Sequence, residues 1–144
     1  MSLARAFPPA VKYFPTQSGE RSDFINSKTS RRVTEFQFRV YDLCAQIPAG
    51  RISTYKMISD ALKSSPRAVG QALRNNPFDP LPVPCHRVLA SDLYLGGFSG
   101  DWGCGKVSNK RSLLNSEGID LDENDYVVVD KRSQYLFNDF VVPI

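Results

Sequence analysis

The chain is poor in the residues that build metal sites and disulfide frameworks. Its 144 residues include one histidine, His86, and three cysteines, Cys44, Cys85 and Cys104. An odd count leaves at least one thiol unpaired. None stands at zinc-ligand spacing with a second cysteine or histidine, so no structural metal and no cofactor is expected. Also missing is any apolar run near the roughly 20 residues of a membrane helix, and the N-terminus lacks the apolar core of a secretory signal. A protein inside the cell with no membrane partner is expected. There are no internal repeats and no low-complexity tracts. The glycine-rich stretch 92–105, "DLYLGGFSGDWGCG", lacks the spacing of a phosphate-binding loop and reads as an adaptable loop lined by Tyr94, Phe98 and Trp102.

What is present fits one globular domain: 42% hydrophobic and 23% charged residues in a length that buries a core without staples. The net charge of +3 hides an asymmetry, since residues 1–117 hold 16 Lys/Arg against 9 Asp/Glu and residues 118–144 hold 2 against 6. A basic body of this kind favours polyanions only modestly.

Residues 1–32 mix prolines, glycine and charges without periodicity and are expected to form an extended arm, with the domain spanning 33–144. Thr34 and Gln37 have the spacing of a capping box, and Phe36, Val40, Leu43, Cys44 and Ile47 recur at helical spacing, which makes Cys44 a core thiol. A second helix starts at Ser53 or Thr54, with Met57, Ile58, Ala61 and Leu62 as its apolar stripe. A third follows Ser65 as "PRAVGQALR", with Pro66 in the favoured first position and Pro77 beyond its end. Val69, Ala72 and Leu73 should face inward, and Arg67, Gly70, Gln71 and Arg74 should share the outer face. The pair resembles a helix-turn-helix in which Gly70 allows close approach to a nucleic-acid backbone.

"FDPLPVP", residues 78–84, leads as extended chain into Cys85. A last helix holds Leu113, Leu114 and Glu117, stopped by Gly118. "YVVVD" and "YLFNDFVV" read as a closing β-hairpin.

"PCHRV" places Cys85 beside the sole imidazole. A thiol attacks as its thiolate and needs a base or relay, which here can only be His86 if histidine supplies it. Neighbouring side chains on an extended strand point to opposite faces, which disfavours a direct dyad. On spacing alone, a core cysteine beside a hydrogen-bonded histidine is the better reading.

Taken with "RAVGQALRNNP", "LGGFSG" and "LLNSEG", however, "PCHRV" resembles the active-site domain of the O6-alkylguanine-DNA alkyltransferases, from about Phe36 to Gly118. The resemblance implies a mainly α fold with small β elements, a winged helix-turn-helix-like DNA-binding domain with the C-terminal β-hairpin. It further implies that Cys85 takes an alkyl group from O6 of guanine in DNA, once, with His86 linking it through water to Glu117. Tyr55 matches the tyrosine that donates a proton toward the leaving guanine. Arg67 matches the residue that fills the gap left by the flipped nucleotide, a flip required because the alkyl carbon is out of reach in a stacked duplex. Arg74 would hold phosphate, and Gly70, Gln71, Gln37 and Ser91 complete the expected DNA-facing set. Asn76 matches the asparagine tying the helix-turn-helix to the active-site strand. Val83, Pro84, Leu95, Ser99 and Gly100 match the walls and backbone that read the flipped base.

Family members usually carry an N-terminal domain, in some with zinc, and here some thirty residues precede the match without counterparts of the zinc ligands. The expected partner is double-stranded DNA containing O6-alkylguanine, bound by a monomer, in the nucleus, or in the cytoplasm of a prokaryote. The alternative is an alkyltransferase-like protein that binds the lesion without repair, although that group has tryptophan where this chain has Cys85. A sequence-reading regulator using Gln71 and Arg74, or a cysteine hydrolase, explains fewer of these residues together.

Overall fold

The computed structural model describes residues 13–78, 81–95 and 107–142, with side chains in the last stretch from Lys110 onward. Along these residues run α1 (Ser18–Ser22), α2 (Glu35–Cys44), β1 (Ser53–Thr54), α3 (Tyr55–Leu62), α4 (Pro66–Arg74), β2 (Val88–Leu89), α5 (Val107–Ser116) and α6 (Arg132–Tyr135). Short-range caps explain the starts of α2, α3 and α4. Thr34 accepts from Gln37 N at 3.1 Å while Gln37 Oε1 accepts from Thr34 N at 2.9 Å, closing the capping box. Thr54 accepts from Met57 N and Ser65 from Ala68 N, each satisfying an amide that lacks a helical partner.

The three helices bury one another. Val40, Leu43 and Cys44 of α2, Ile58 of α3, and Val69, Ala72 and Leu73 of α4 lie in one core, each apolar side chain contributing roughly 1.5–3 kcal/mol where it is large. Tyr41 ties α2 to α4 by donating to Ala72 O at 2.7 Å. Phe36 is only partly buried, and Phe38 fills the core position instead. Gly70 is buried with the core face, so it does not present its backbone beside Arg67, Gln71 and Arg74, which are exposed.

β1 and β2 pair in parallel, Ser53 opposite Val88 and Thr54 opposite Leu89. This register brings the start of α3 alongside the chain leaving Cys85. Cys85 itself is not on extended chain: Cys85–Arg87 form a single 3-10 turn, and the strand begins only at Val88.

Two expectations at the ends of the chain are corrected. The C-terminal hairpin does not form between "YVVVD" and "YLFNDFVV": residues 129–131 make a 3-10 turn running into α6, and Leu136 bridges Ile52 in parallel. Pairing happens one element earlier, where Leu121 bridges Val127 and Tyr126 bridges Tyr94, so the valine run is used by its first members and Val129 is left exposed. A second core gathers there from Ile52, Leu89, Leu93, Leu95, Leu114, Ile119, Val127 and Tyr135.

Residues 13–32 do not run as an extended arm. Phe14 and Phe24 pack against Phe38 and Phe78, with the Phe14 and Phe78 centroids 4.9 Å apart edge to face. Arg21 of α1 lies 4.6 Å over Phe38 and grips Asp42 of α2 with two hydrogen bonds of 2.6 and 2.9 Å.

Candidate active site and nucleic-acid face

The 3-10 turn puts the motif's polar side chains into the protein rather than on alternate sides of a strand. Cys85 and His86 are each 1% exposed. Cys85 stands in a disulfide in this structure, and Cys44, inside the core, is a free cysteine whose thiol burial pushes up in pKa. The acceptor chemistry of Cys85 therefore belongs to its reduced form.

Glu117 follows α5 directly, where Gly118 takes φ 92° and lets the chain turn back, with Ile119 N donating to Leu114 O. This end presents the carboxylate to His86, whose Nε2 lies 3.0 Å from Oε2. Arg87 donates from Nε to Oε1 at 2.9 Å, from Nη2 to Oε2, and from Nη1 to Ile47 O at 2.7 Å. Burial alone would raise the Glu117 pKa, but the hydrogen bonds from His86 and Arg87 outweigh it and hold it at about 2. The carboxylate is thus ionised and can only accept, which assigns the proton to His86 Nε2. Burial lowers the His86 pKa despite that carboxylate, so the ring is neutral. Its Nδ1 is buried without a hydrogen-bond partner among the described residues and carries the lone pair.

Tyr55, at the start of α3, is buried, and burial drives its phenol pKa upward, so the hydroxyl keeps its proton. Against it lies a residue that motif reading missed. Lys110 of α5 is fully buried, donates to Val88 O at 3.0 Å, and has Nζ 3.4 Å from Tyr55 Oη. Burial lowers its pKa to about 8. Register could have found it, since Lys110, Leu114 and Glu117 are spaced i, i+4, i+7. Arg87 was in plain view inside "PCHRV", but nothing local marks its partners.

Asn76 is fully buried and bridges two segments. Its Nδ2 donates to Val83 O at 3.0 Å and its Oδ1 accepts from Phe78 N at 2.8 Å. The end of α4 is thereby tied to the chain entering Cys85 through Val83 and Pro84, both buried.

Arg67, Gln71 and Arg74 lie exposed along α4, and Ser91 is exposed in the turn after β2. Gln37 closes the expected capping box, its carbonyl oxygen committed to the cap of α2. Leu95 differs from expectation: its side chain is in the second core and its N–H already donates to Asp125 O at 2.9 Å, so that amide is not available to a base edge. Ser99, Gly100, Phe98, Trp102 and Cys104 lie outside the described residues.

Residues 35–119 match the family described as the 6-O-methylguanine DNA methyltransferase DNA-binding domain. The chain belongs to this alkyltransferase family. A methylated-DNA--protein-cysteine methyltransferase of Saccharolobus solfataricus is 40% identical over 122 residues, covering 85% of this chain and 74% of that protein. One from Methanothermobacter thermautotrophicus is 43% identical over 89 residues, 62% of this chain and 47% of that protein. Among solved structures, the O6-methylguanine-DNA methyltransferase of Pyrococcus kodakaraensis aligns with TM-score 0.51 and 38% identity, over 63% of this chain and 50% of that one. S. pombe Atl1 in complex with damaged DNA containing O6-carboxymethylguanine aligns with TM-score 0.58 and 28% identity, over 72% and 94%. The chain therefore spans about half the length of the Methanothermobacter and Pyrococcus relatives. Its architecture is the mainly helical, winged helix-turn-helix-like alkyltransferase domain, with a small parallel sheet.

Proposed function

We propose that this alkyltransferase domain repairs DNA by accepting the alkyl group of O6-alkylguanine onto Cys85. The observation that carries the reading is the His86–Glu117 pair directly after Cys85, with a neutral imidazole whose buried Nδ1 lone pair is unspent. A water between Nδ1 and Sγ would accept the thiol proton while passing one of its own to Nδ1. The thiolate then attacks the alkyl carbon, forming the S–C bond as the C–O bond breaks. The electron pair leaves on guanine, which takes up a proton, and Tyr55, protonated and held by Lys110, is the donor on this side. Cys85 ends as a thioether that nothing in the site reverses, so each chain reacts once.

Flipping of the nucleotide is part of the proposal, with exposed Arg67 filling the gap and Arg74 on phosphate. The partner is double-stranded DNA bearing the lesion, met by a monomer wherever the genome resides. Incubating the reduced protein with duplex containing O6-methylguanine and weighing it intact tests this. One methyl per chain, mapped to Cys85 and absent in Cys85→Ser, is expected. Binding of the lesion duplex with no mass gain by the reduced protein would replace it with the second reading, lesion recognition without repair, for which the likeness to S. pombe Atl1 bound to damaged DNA speaks.

A further inference from the structure

Residues 24–33 fold into a small hairpin that the functional reading leaves unused. Val33 N donates to Phe24 O at 3.1 Å and Asn26 N to Arg31 O at 2.7 Å, with Ile25 and Arg32 bridged between them. Alternation along the pair turns Phe24, Asn26 and Val33 toward the body, and Asn26 is 1% exposed. Its side chain accepts from Lys28 N at 2.7 Å and donates from Nδ2 to Asn75 O at 2.7 Å. Asn75 is the C-cap of α4, so the hairpin is latched to the end of the helix that carries Arg67, Gln71 and Arg74.

That position has an electrostatic consequence. The C-terminal carbonyls of a helix carry partial negative charge and repel phosphate. Here one of them is occupied by an amide donor, and the same hairpin carries Arg31, whose carbonyl pairs with Asn26 N, and Arg32 next to it, both exposed and neither with an ion-pair partner among the described residues. We propose that the hairpin of residues 25–32 is a second phosphate-holding element, which extends the DNA face of α4 with Arg31 and Arg32 along the duplex flanking the lesion. The proposal rests on α4 being the DNA-facing helix. Its partner is duplex backbone of any sequence, because the guanidinium groups reach phosphate and no base edge is required.

The test is a salt series of fluorescence anisotropy on a labelled unmodified duplex, with the full reduced chain, Arg31→Ala/Arg32→Ala, and the exposed control Lys131→Ala. Each phosphate contact adds about 0.9 to the slope of log affinity against log salt, so the double variant should lose up to about 1.8 from that slope. Affinity at low salt should fall roughly tenfold or more, with Lys131→Ala unchanged. Asn26→Ala, which releases the latch and keeps both arginines, should move the slope the same way by less. Alkyl transfer from the free O6-alkylguanine base, which has no phosphate, should be unchanged in the double variant, showing the fold and site intact. A wild-type slope and affinity in the double variant overturns the hairpin proposal alone. Absence of any DNA binding by the wild type overturns it together with the functional reading.

Discussion

Glu117 sits past the end of a helix, where a carboxylate opposes the dipole, yet its pKa is held near 2 because Arg87 and His86 both donate to it. The folded pKa lies below the ordinary 4.5, so its contribution to stability is fully present above that value and is lost as pH falls toward 2. Glu117→Gln removes the charge and leaves the buried Arg87 guanidinium uncompensated. It should cost about 3 kcal/mol in urea unfolding at neutral pH, flatten the acid limb between those values, and slow methyl transfer. Lys110 runs the other way. An unfolded lysine titrates near 10.5 and this one near 8, so between those pH values the unfolded chain binds more protons and stability rises with pH. Lys110→Met should abolish that rise, as read by urea midpoints across the window. A rise that persists would place the titrating group elsewhere.

At the scale of elements, Asn76 joins the end of α4 to the chain entering the Cys85 turn, because its two hydrogen bonds reach Val83 and Phe78 and both backbone groups are buried. Asn76→Ala should cost roughly 3 kcal/mol by leaving a carbonyl and an amide unsatisfied, and should lower methyl transfer from duplex more than from free base. Measuring both substrates separates coupling from simple loss of fold. The element boundaries were readable in the sequence wherever the cause is local: Thr34 with Gln37, Thr54 with Met57, Ser65 with Pro66. The motif residues Asn76, Cys85, His86 and Glu117 could be named because a family resemblance carried them. What was illegible depends on distant partners. Arg87 is fixed by Ile47 O and Glu117, and although helical register puts Lys110 on the face of Leu114 and Glu117, its partners Val88 O and Tyr55 lie far along the chain, and no spacing within a motif announces such pairs. The valine run at 127–129 misled for a related reason, since alternation signals a strand only if a neighbour is there to pair with it, and the chain turns into helix at Val129.

For the whole molecule, the segment before Val33 decides how many cooperative units the chain has. Composition suggested an arm and a domain, but the aromatic cluster is built from both sides: Phe14 and Phe24 supply two of its rings, Phe38, Tyr41 and Phe78 the others. Phe78 stands two residues after Asn76 and donates its N–H to the asparagine's Oδ1, so the cluster backs directly onto the joint between α4 and Cys85. Removing rings from the N-terminal side leaves a cavity under that joint. Phe24→Ala should therefore destabilise the whole domain by about 3 kcal/mol in one transition, followed both by far-ultraviolet dichroism and by tyrosine fluorescence. Phe14→Ala should act in the same direction. If Phe24→Ala instead leaves the main midpoint untouched and only speeds proteolysis before Val33, the N-terminal segment is an independent arm, and neither the latch at Asn26 nor the cluster contributes to holding the site.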